Sequence, residues 1–579
     1  MRTHKRLVSK TIVSVVLVAG IWTACGRPDG SRDRRPDWDA FRDRFVSAEF
    51  EMFPDFAVYE GRHEFDGKLP DWSGAGLSRT IASLHAARDA AAAFPAASLD
   101  ESRSFERDYL VAEIDKQLFW TERADAPHVN PDFYVSGNPV GPGLSPDVYV
   151  TRPYAPLPDR LRAYVAWAKA VPGAVAQARA NLRLPLARPM IDIGRLRFGG
   201  LASYLTNDIP ATFAGAKDAA LEAEFQTANA AAAKAFSEFD AWLEAQRKTQ
   251  VETFALGAET FAEMLRATER VDVPLERLEQ LGRDDMARNV AALREACTQF
   301  APGVTIRQCI DRQAAHKPAG GTIAAGAQQL EMLEAFIRAN DLVTIPGTER
   351  ALVHESPPYQ RGNFAYIDPP GAFERGLPAV YYLSPPDPKW SRAEQEAYVP
   401  SATDLLFTSV HEVWPGHFLQ FLHSNGVPSV VGRVFVGYAF AEGWAHYGEE
   451  MIWEAGLGHG DAETHIGQLL KALFRDARFL SAIGMHTGRM TEAQSEALFR
   501  EQAFQDAATS RQQAARGTYD PAYLNYTLGK LMIRKLRADW TATRGGRSAW
   551  KAFHDAFLNF GGPPIPLVRK AMGVGGDPL

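Results

Sequence analysis

The residues best suited to chemistry begin at position 411, where the chain reads His-Glu-Val-Trp-Pro-Gly-His. Two His on one helix, with Glu directly after the first, is how a zinc peptidase helix presents two imidazoles to a metal and a carboxylate to water. The usual spacing is four. Here His411 and His417 are six apart. Six residues advance about 600°, roughly 120° away from alignment on a regular helix. Pro415 and Gly416 are the expected remedy. Pro415 cannot donate to the carbonyl of His411, and Gly416 tolerates unusual dihedrals, so together they are expected to bulge or kink the helix until the rings converge. Downstream, Phe-Ala-Glu-Gly-Trp-Ala-His-Tyr places Glu442 on a second helical segment. A Glu from a second helix is the usual third ligand of such a site. The candidate metal set is His411, His417 and Glu442, with Zn(2+) as the ion that suits these donors and Glu412 as general base. His446 and Glu449 share the Glu442 face. They are read as supporting or surface groups, with ligand roles as the alternative.

Elements that position these residues are mostly helical. Apolar residues recur at three- and four-residue spacing through 104–120, a long Gly- and Pro-free stretch spans 216–249, and another helix is expected over 273–297 with Pro274 near its first turn. Strand signals are short: 149–151, 353–355 and Ala379–Leu383. The last could pair with an extended peptide by strand addition. From 401 to about 560 the chain reads as helix again. No linker separates independent modules, so 41–345 is read as the helical N-terminal part of one large fold and 346–579 as its metal-bearing part.

The N-terminus carries an address. Basic residues precede an apolar run over 11–24, the length of a signal-peptide core. The run ends Ile-Trp-Thr-Ala-Cys, which resembles a bacterial lipobox with Cys25 as the lipidated residue, although Trp22 stands where Leu is usual. Residues 1–25 are thus read as a lipoprotein-type signal peptide and 26–40 as a flexible tether. An ordinary cleaved signal or an uncleaved anchor are the alternatives. The expected location is the bacterial cell envelope, lipid-anchored and facing the periplasm. Export leaves Cys297 and Cys309, which flank a Pro-Gly turn, free to form a disulfide; two separate thiols are the alternative. Lys+Arg 63 against Asp+Glu 70 gives a net charge of −7, which argues against nucleic acid as a partner.

The His411 and Glu442 segments resemble the bacterial family called domain of unknown function 885, marked by His-Glu-x-x-Pro-Gly-His and a downstream Glu-Gly-Trp-Ala. That family is similar to helical zinc peptidases of the thimet oligopeptidase and thermostable carboxypeptidase kind. The resemblance implies a mostly α, zinc-peptidase-like fold with a deep cleft and few strands, and peptides as substrate. It also implies a substrate hydrogen bond for His486, which closes a segment similar to the family's Asp-x-Gly-x-His with Ala482 in place of Asp, a satisfied structural His being the alternative, and a place near the scissile carbonyl for Tyr526. Tyr523 and Arg516 are implied as substrate contacts. A metal- or peptide-binding lipoprotein without turnover, and a zinc hydrolase of non-peptide amides or esters, are the alternative functions. The first would have no need of Glu412.

Overall fold

The computed structural model describes residues 37–135, 141–216, 218–357, 361 and 364–579. The signal-type segment, Cys25 and most of the tether lie outside the described residues. Trp38–Leu579 folds as one unit, and it is mostly α-helical. No helix among the described residues is long and apolar enough to cross a membrane.

Two apolar cores organise the chain. One is built mainly from the first 243 residues, around Trp38, Tyr164, Trp167, Phe198, Phe225 and Phe239. It holds the long helices Leu157–Asn181, Arg188–Asn207 and Ala219–Gln246. The other runs from Phe119 to Val568 and encloses Trp414, Phe440, Trp444 and Tyr447. Residues 261–345 therefore pack with the metal-bearing segments. Here Leu275–Phe300 packs along Ala462–His486, and Tyr438–Glu454 packs along Asn525–Thr541. Cys297 and Cys309 are joined across the turn between Leu275–Phe300 and Ile306–Ala315, with Cα atoms 5.7 Å apart.

Between these helices lies one sheet of order β1-β3-β2, with β1 at Ala351–Glu355, β2 at Ala365–Asp368 and β3 at Ala379–Leu383. β3 pairs parallel to β1 and antiparallel to β2. Two sequence expectations are corrected here. The central β3 has partners on both sides, so it has no free edge for an added strand. Residues 149–151 belong to the short helix Asp147–Thr151. Their Tyr-Val-Thr composition suits a strand, but Pro146 precedes a helical first turn carrying Asp147, and the Tyr149 hydroxyl accepts from Gly67 N at 2.9 Å.

A buried ionic cluster clamps the helices that flank the candidate site. Lys530, with no exposure, lies 2.5 Å from Asp285 and 3.8 Å from Glu450. Arg288 pairs with Glu450 at 2.7 Å. Burial works against ionisation of Glu450, but Lys530, Arg534 and Arg288 overcome it and hold its carboxyl at about 2, against an ordinary 4.5. A depressed carboxylate stabilises the fold above its unfolded pKa and loses that contribution as pH falls through the folded value. Thermal melts in acid should therefore show wild type losing stability between about pH 4.5 and 2, and Glu450→Gln losing less over that window.

Candidate metal centre

The helix Ala402–Glu412 begins at Ser401, whose side chain accepts from Asp404 N, and ends just past His411. The expected bulge or kink is instead a complete break. Gly416 caps a new helix, His417–Gly426, so His411 stands at the end of one helix and His417 starts the next. Pro415 removes one donor, and the Trp414–Pro415 peptide is cis. Gly416 N donates to Val410 O at 3.0 Å. A Cβ at Gly416 would lie 1.7 Å from His411 O, so only glycine fits. The reversal is pinned from the facing helix: Trp444 Nε1 donates to Pro415 O at 2.8 Å. The Trp of Glu-Gly-Trp thus fixes the loop that turns His417 towards His411, with ring centroids 4.8 Å apart.

Glu442 projects from Tyr438–Glu454 and meets both rings. Its Oε2 lies 3.2 Å from His411 Nε2 and 3.2 Å from His417 Nε2. One donor atom from each residue falls within 4.8 Å of the others. Burial opposes the Glu442 charge, but the two imidazoles hold its carboxyl well below the usual range. Two imidazole nitrogens and a carboxylate oxygen converging on one point are a donor set that fits zinc.

Glu449, one turn beyond His446, takes the supporting role among the readings open to it from sequence. It is fully buried, and its Oε1 lies 2.8 Å from His411 Nδ1. Arg475 braces the carboxylate at 3.0 Å, and His446 Nδ1 lies 3.2 Å from its other oxygen. Burial works against the charge, yet Arg475, His411 and His446 keep Glu449 ionised well below the usual range. An ionised carboxylate only accepts, so Glu449 is placed to take an N–H from His411 Nδ1, an arrangement that would leave Nε2 for a metal ion. Glu449→Ala should weaken zinc binding about 10–100-fold, measured by competition with a chelating dye.

Glu412, beside His411, does not join the cluster. Its Oε2 accepts from Ile367 N at 3.1 Å. Ile367 lies on β2, an edge strand that sequence reasoning missed and that brings backbone donors beside the candidate base. Burial pushes the Glu412 carboxyl up to about 7.

Tyr526 stacks against His411, with centroids 6.2 Å apart, and meets Tyr438 edge-on at 5.8 Å. Its hydroxyl has no hydrogen-bond partner among the described residues. Close helix contact brings it there. A Cβ on Gly443 would lie 2.4 Å from Gly529 Cα, and one on Gly529 would lie 2.0 Å from Ala439 O.

Three expectations are corrected. His486 is buried and faces backbone: Nε2 contacts Gly517 O at 2.8 Å, and Leu256 N lies 3.4 Å from Nδ1. Burial drives it down to about 4. It is a neutral packing residue with both ring nitrogens engaged. Tyr523 is fully buried, with its hydroxyl against Gly517, where a Cβ would lie 2.2 Å away. No surface remains for substrate. Arg516 is committed to Asp520 at 3.0 and 2.9 Å and to the Tyr438 hydroxyl at 3.0 Å.

The family described as "Bacterial protein of unknown function (DUF885)" matches residues 54–572. Among solved structures, a protein of unknown function from Shewanella oneidensis, described as a proposed lipoprotein, is 25% identical with a TM-score of 0.76, covering 93% of this chain and 99% of its own. A proposed lipoprotein from Colwellia psychrerythraea is 16% identical with a TM-score of 0.74, covering 93% and 98%. A proposed oligoendopeptidase F from Bacillus anthracis str. Ames overlaps at a TM-score of 0.29 and 14% identity, covering 94% of each chain, too loosely to carry an argument. No curated protein matches.

Proposed function

The chain belongs to the bacterial family of unknown function DUF885, and from its buried His–His–Glu cluster we propose that it is an exported zinc-dependent hydrolase that cleaves peptide bonds. One observation carries the reading: Glu442 Oε2 sits 3.2 Å from the Nε2 atoms of both His411 and His417, while Glu412, next in chain to His411, stands apart from that cluster on the edge of β2. A purely structural metal site has no use for such a carboxylate.

His411, His417 and Glu442 would hold the ion, with Glu449 fixing the tautomer of His411. Zinc bound there would supply a Lewis acid and an acidified water. Glu412 takes a proton from the attacking water on its carboxylate and delivers it to the leaving nitrogen. Burial, which pushes its carboxyl up from the ordinary carboxylate range, suits it to both accepting and returning a proton. The Tyr526 hydroxyl, unengaged among the described residues, donates to the oxygen that gains charge as the carbonyl is attacked. An extended substrate has the edge of β2 to pair with, beside Glu412.

The lipobox-like end at Cys25 and the lipoprotein descriptions of the two structural relatives support export and lipid anchoring at the envelope. The test is mass spectrometry of a peptide mixture incubated with purified mature protein, before and after chelation. Zinc-dependent new termini are expected. An unchanged mixture at saturating zinc overturns the peptidase reading.

A further inference from the structure

Beside Tyr526 stands a buried cation that the mechanism does not use. Arg478 lies on Ala462–His486, one turn from Arg475, and only 7% of it is exposed. Its Nε donates to the neutral Gln513 Oε1 at 2.8 Å. Its Cζ lies 4.8 Å from the Tyr526 ring centroid and 4.4 Å from that of Phe474. No carboxylate of the described residues pairs with it. Its cationic neighbours differ: Arg475 is matched by Glu449 at 3.0 Å and Arg516 by Asp520 at 2.9 Å. Burial, with Arg516 and Arg475 close by, pushes Arg478 below the usual guanidinium range. A buried charge without a counter-charge is costly and is retained where something pays the cost. A planar guanidinium matches a carboxylate, with two parallel N–H donors for its two oxygens.

We propose that Arg478 binds the free α-carboxylate of the peptide, so that the hydrolase releases short fragments from C-termini. This rests on the peptidase reading above. The placement sets the fragment length. Arg478 and His411 both contact the one ring of Tyr526, at 4.8 and 6.2 Å, which bounds the span between them at roughly three extended residues. Cleavage therefore falls one to three residues from the C-terminus. Arg516, held by Asp520 and Tyr438, is not the anchor.

The carboxylate site is tested without turnover, by calorimetric binding of 3-phenylpropionate and its neutral isostere 3-phenylpropionamide to the mature protein, zinc-loaded and chelated. Neither probe contains a peptide bond. The acid should bind at least about tenfold tighter than the amide in both states, the range of a charge-assisted pair. Arg478→Met should erase the preference, and Arg478→Lys, the variant safer for folding, should keep part of it. Equal binding, no binding, a preference seen only with zinc, or a preference that survives Arg478→Met overturns the site. A second arm compares peptides with a free C-terminus, their C-terminal amides, and amides carrying internal Asp or Glu. Cleavage of the free acids alone, within three residues of the end, supports the α-carboxylate. Equal cleavage of the amides, or recovery with internal acidic residues, overturns it. If no peptide is cleaved, the peptidase reading and the C-terminal assignment both fail, and the binding comparison still decides the carboxylate site.

Discussion

Replacing Glu412 with Gln should leave the zinc content at one ion per chain and lower peptide hydrolysis by about 10²–10⁴-fold. Both halves follow from where Glu412 sits. It contributes no atom to the His411–His417–Glu442 cluster, so its loss removes no ligand. Its Oε2 accepts from Ile367 N at 3.1 Å, and Gln can keep that bond through its own carbonyl oxygen, so the local structure has reason to persist. Gln cannot accept and return a proton, which is the one task assigned to this position. Metal analysis with turnover numbers, measured on the same preparation, separates the roles. Activity within tenfold of wild type would remove Glu412 from the mechanism. Loss of zinc along with activity would make it part of the metal site.

A methyl group at Gly416 should be as damaging, by a different route. The added Cβ would lie 1.7 Å from His411 O and 2.5 Å from Val410 O. Both are backbone atoms at the end of the helix that carries His411, so no side chain can swing aside. The break between the two helices must open, and His417 must move away from His411. The expected result for Gly416→Ala is a zinc affinity at least about 100-fold weaker, as for an oriented ligand set losing its support. The first core, built mainly from the first 243 residues, should survive, while the second, which includes Val413, Trp414 and Phe418 beside the reversal, should loosen locally. Gly426→Ala is the internal control. It lies at the end of the same helix with nothing within 4 Å of the new methyl, so it should leave zinc binding unchanged and stability equal or slightly higher, by up to about 1 kcal/mol. Equal zinc affinity in the two variants would contradict the role given to the reversal.

The contrast between these glycines shows what a sequence can carry. Residue type and spacing marked His411, His417, Glu442 and Glu412, because metal ligation and proton transfer need particular side chains in a particular order. They could not tell a kinked helix from two helices, because that difference depends on Trp444 reaching back to Pro415 from the facing helix. Glu449 was legible only as a supporting or surface group, and Arg475 was out of reach, for a related reason. Their roles exist only where Tyr438–Glu454 and Ala462–His486 meet. β2 is four residues of Ala-Tyr-Ile-Asp, too short for a periodic signal, and it is a strand because β3 pairs with it. The helix at Asp147–Thr151 errs in the opposite direction: strand-forming side chains there yield to Pro146 and to the packing of Tyr149. His486, Tyr523 and Arg516 matched family positions, but a match in type does not reveal whether a polar atom faces a cleft or a backbone carbonyl. The mostly helical class was legible throughout, since long apolar periodicity such as that of Ala219–Gln246 is local information.

The most direct test of the central claim is the peptide-cleavage rate of metal-stripped wild-type protein as zinc is added back in known equivalents. The account predicts no cleavage without zinc, a linear rise to one equivalent per chain, and a plateau beyond it. Cleavage that survives stripping, or none at any zinc level, would contradict it.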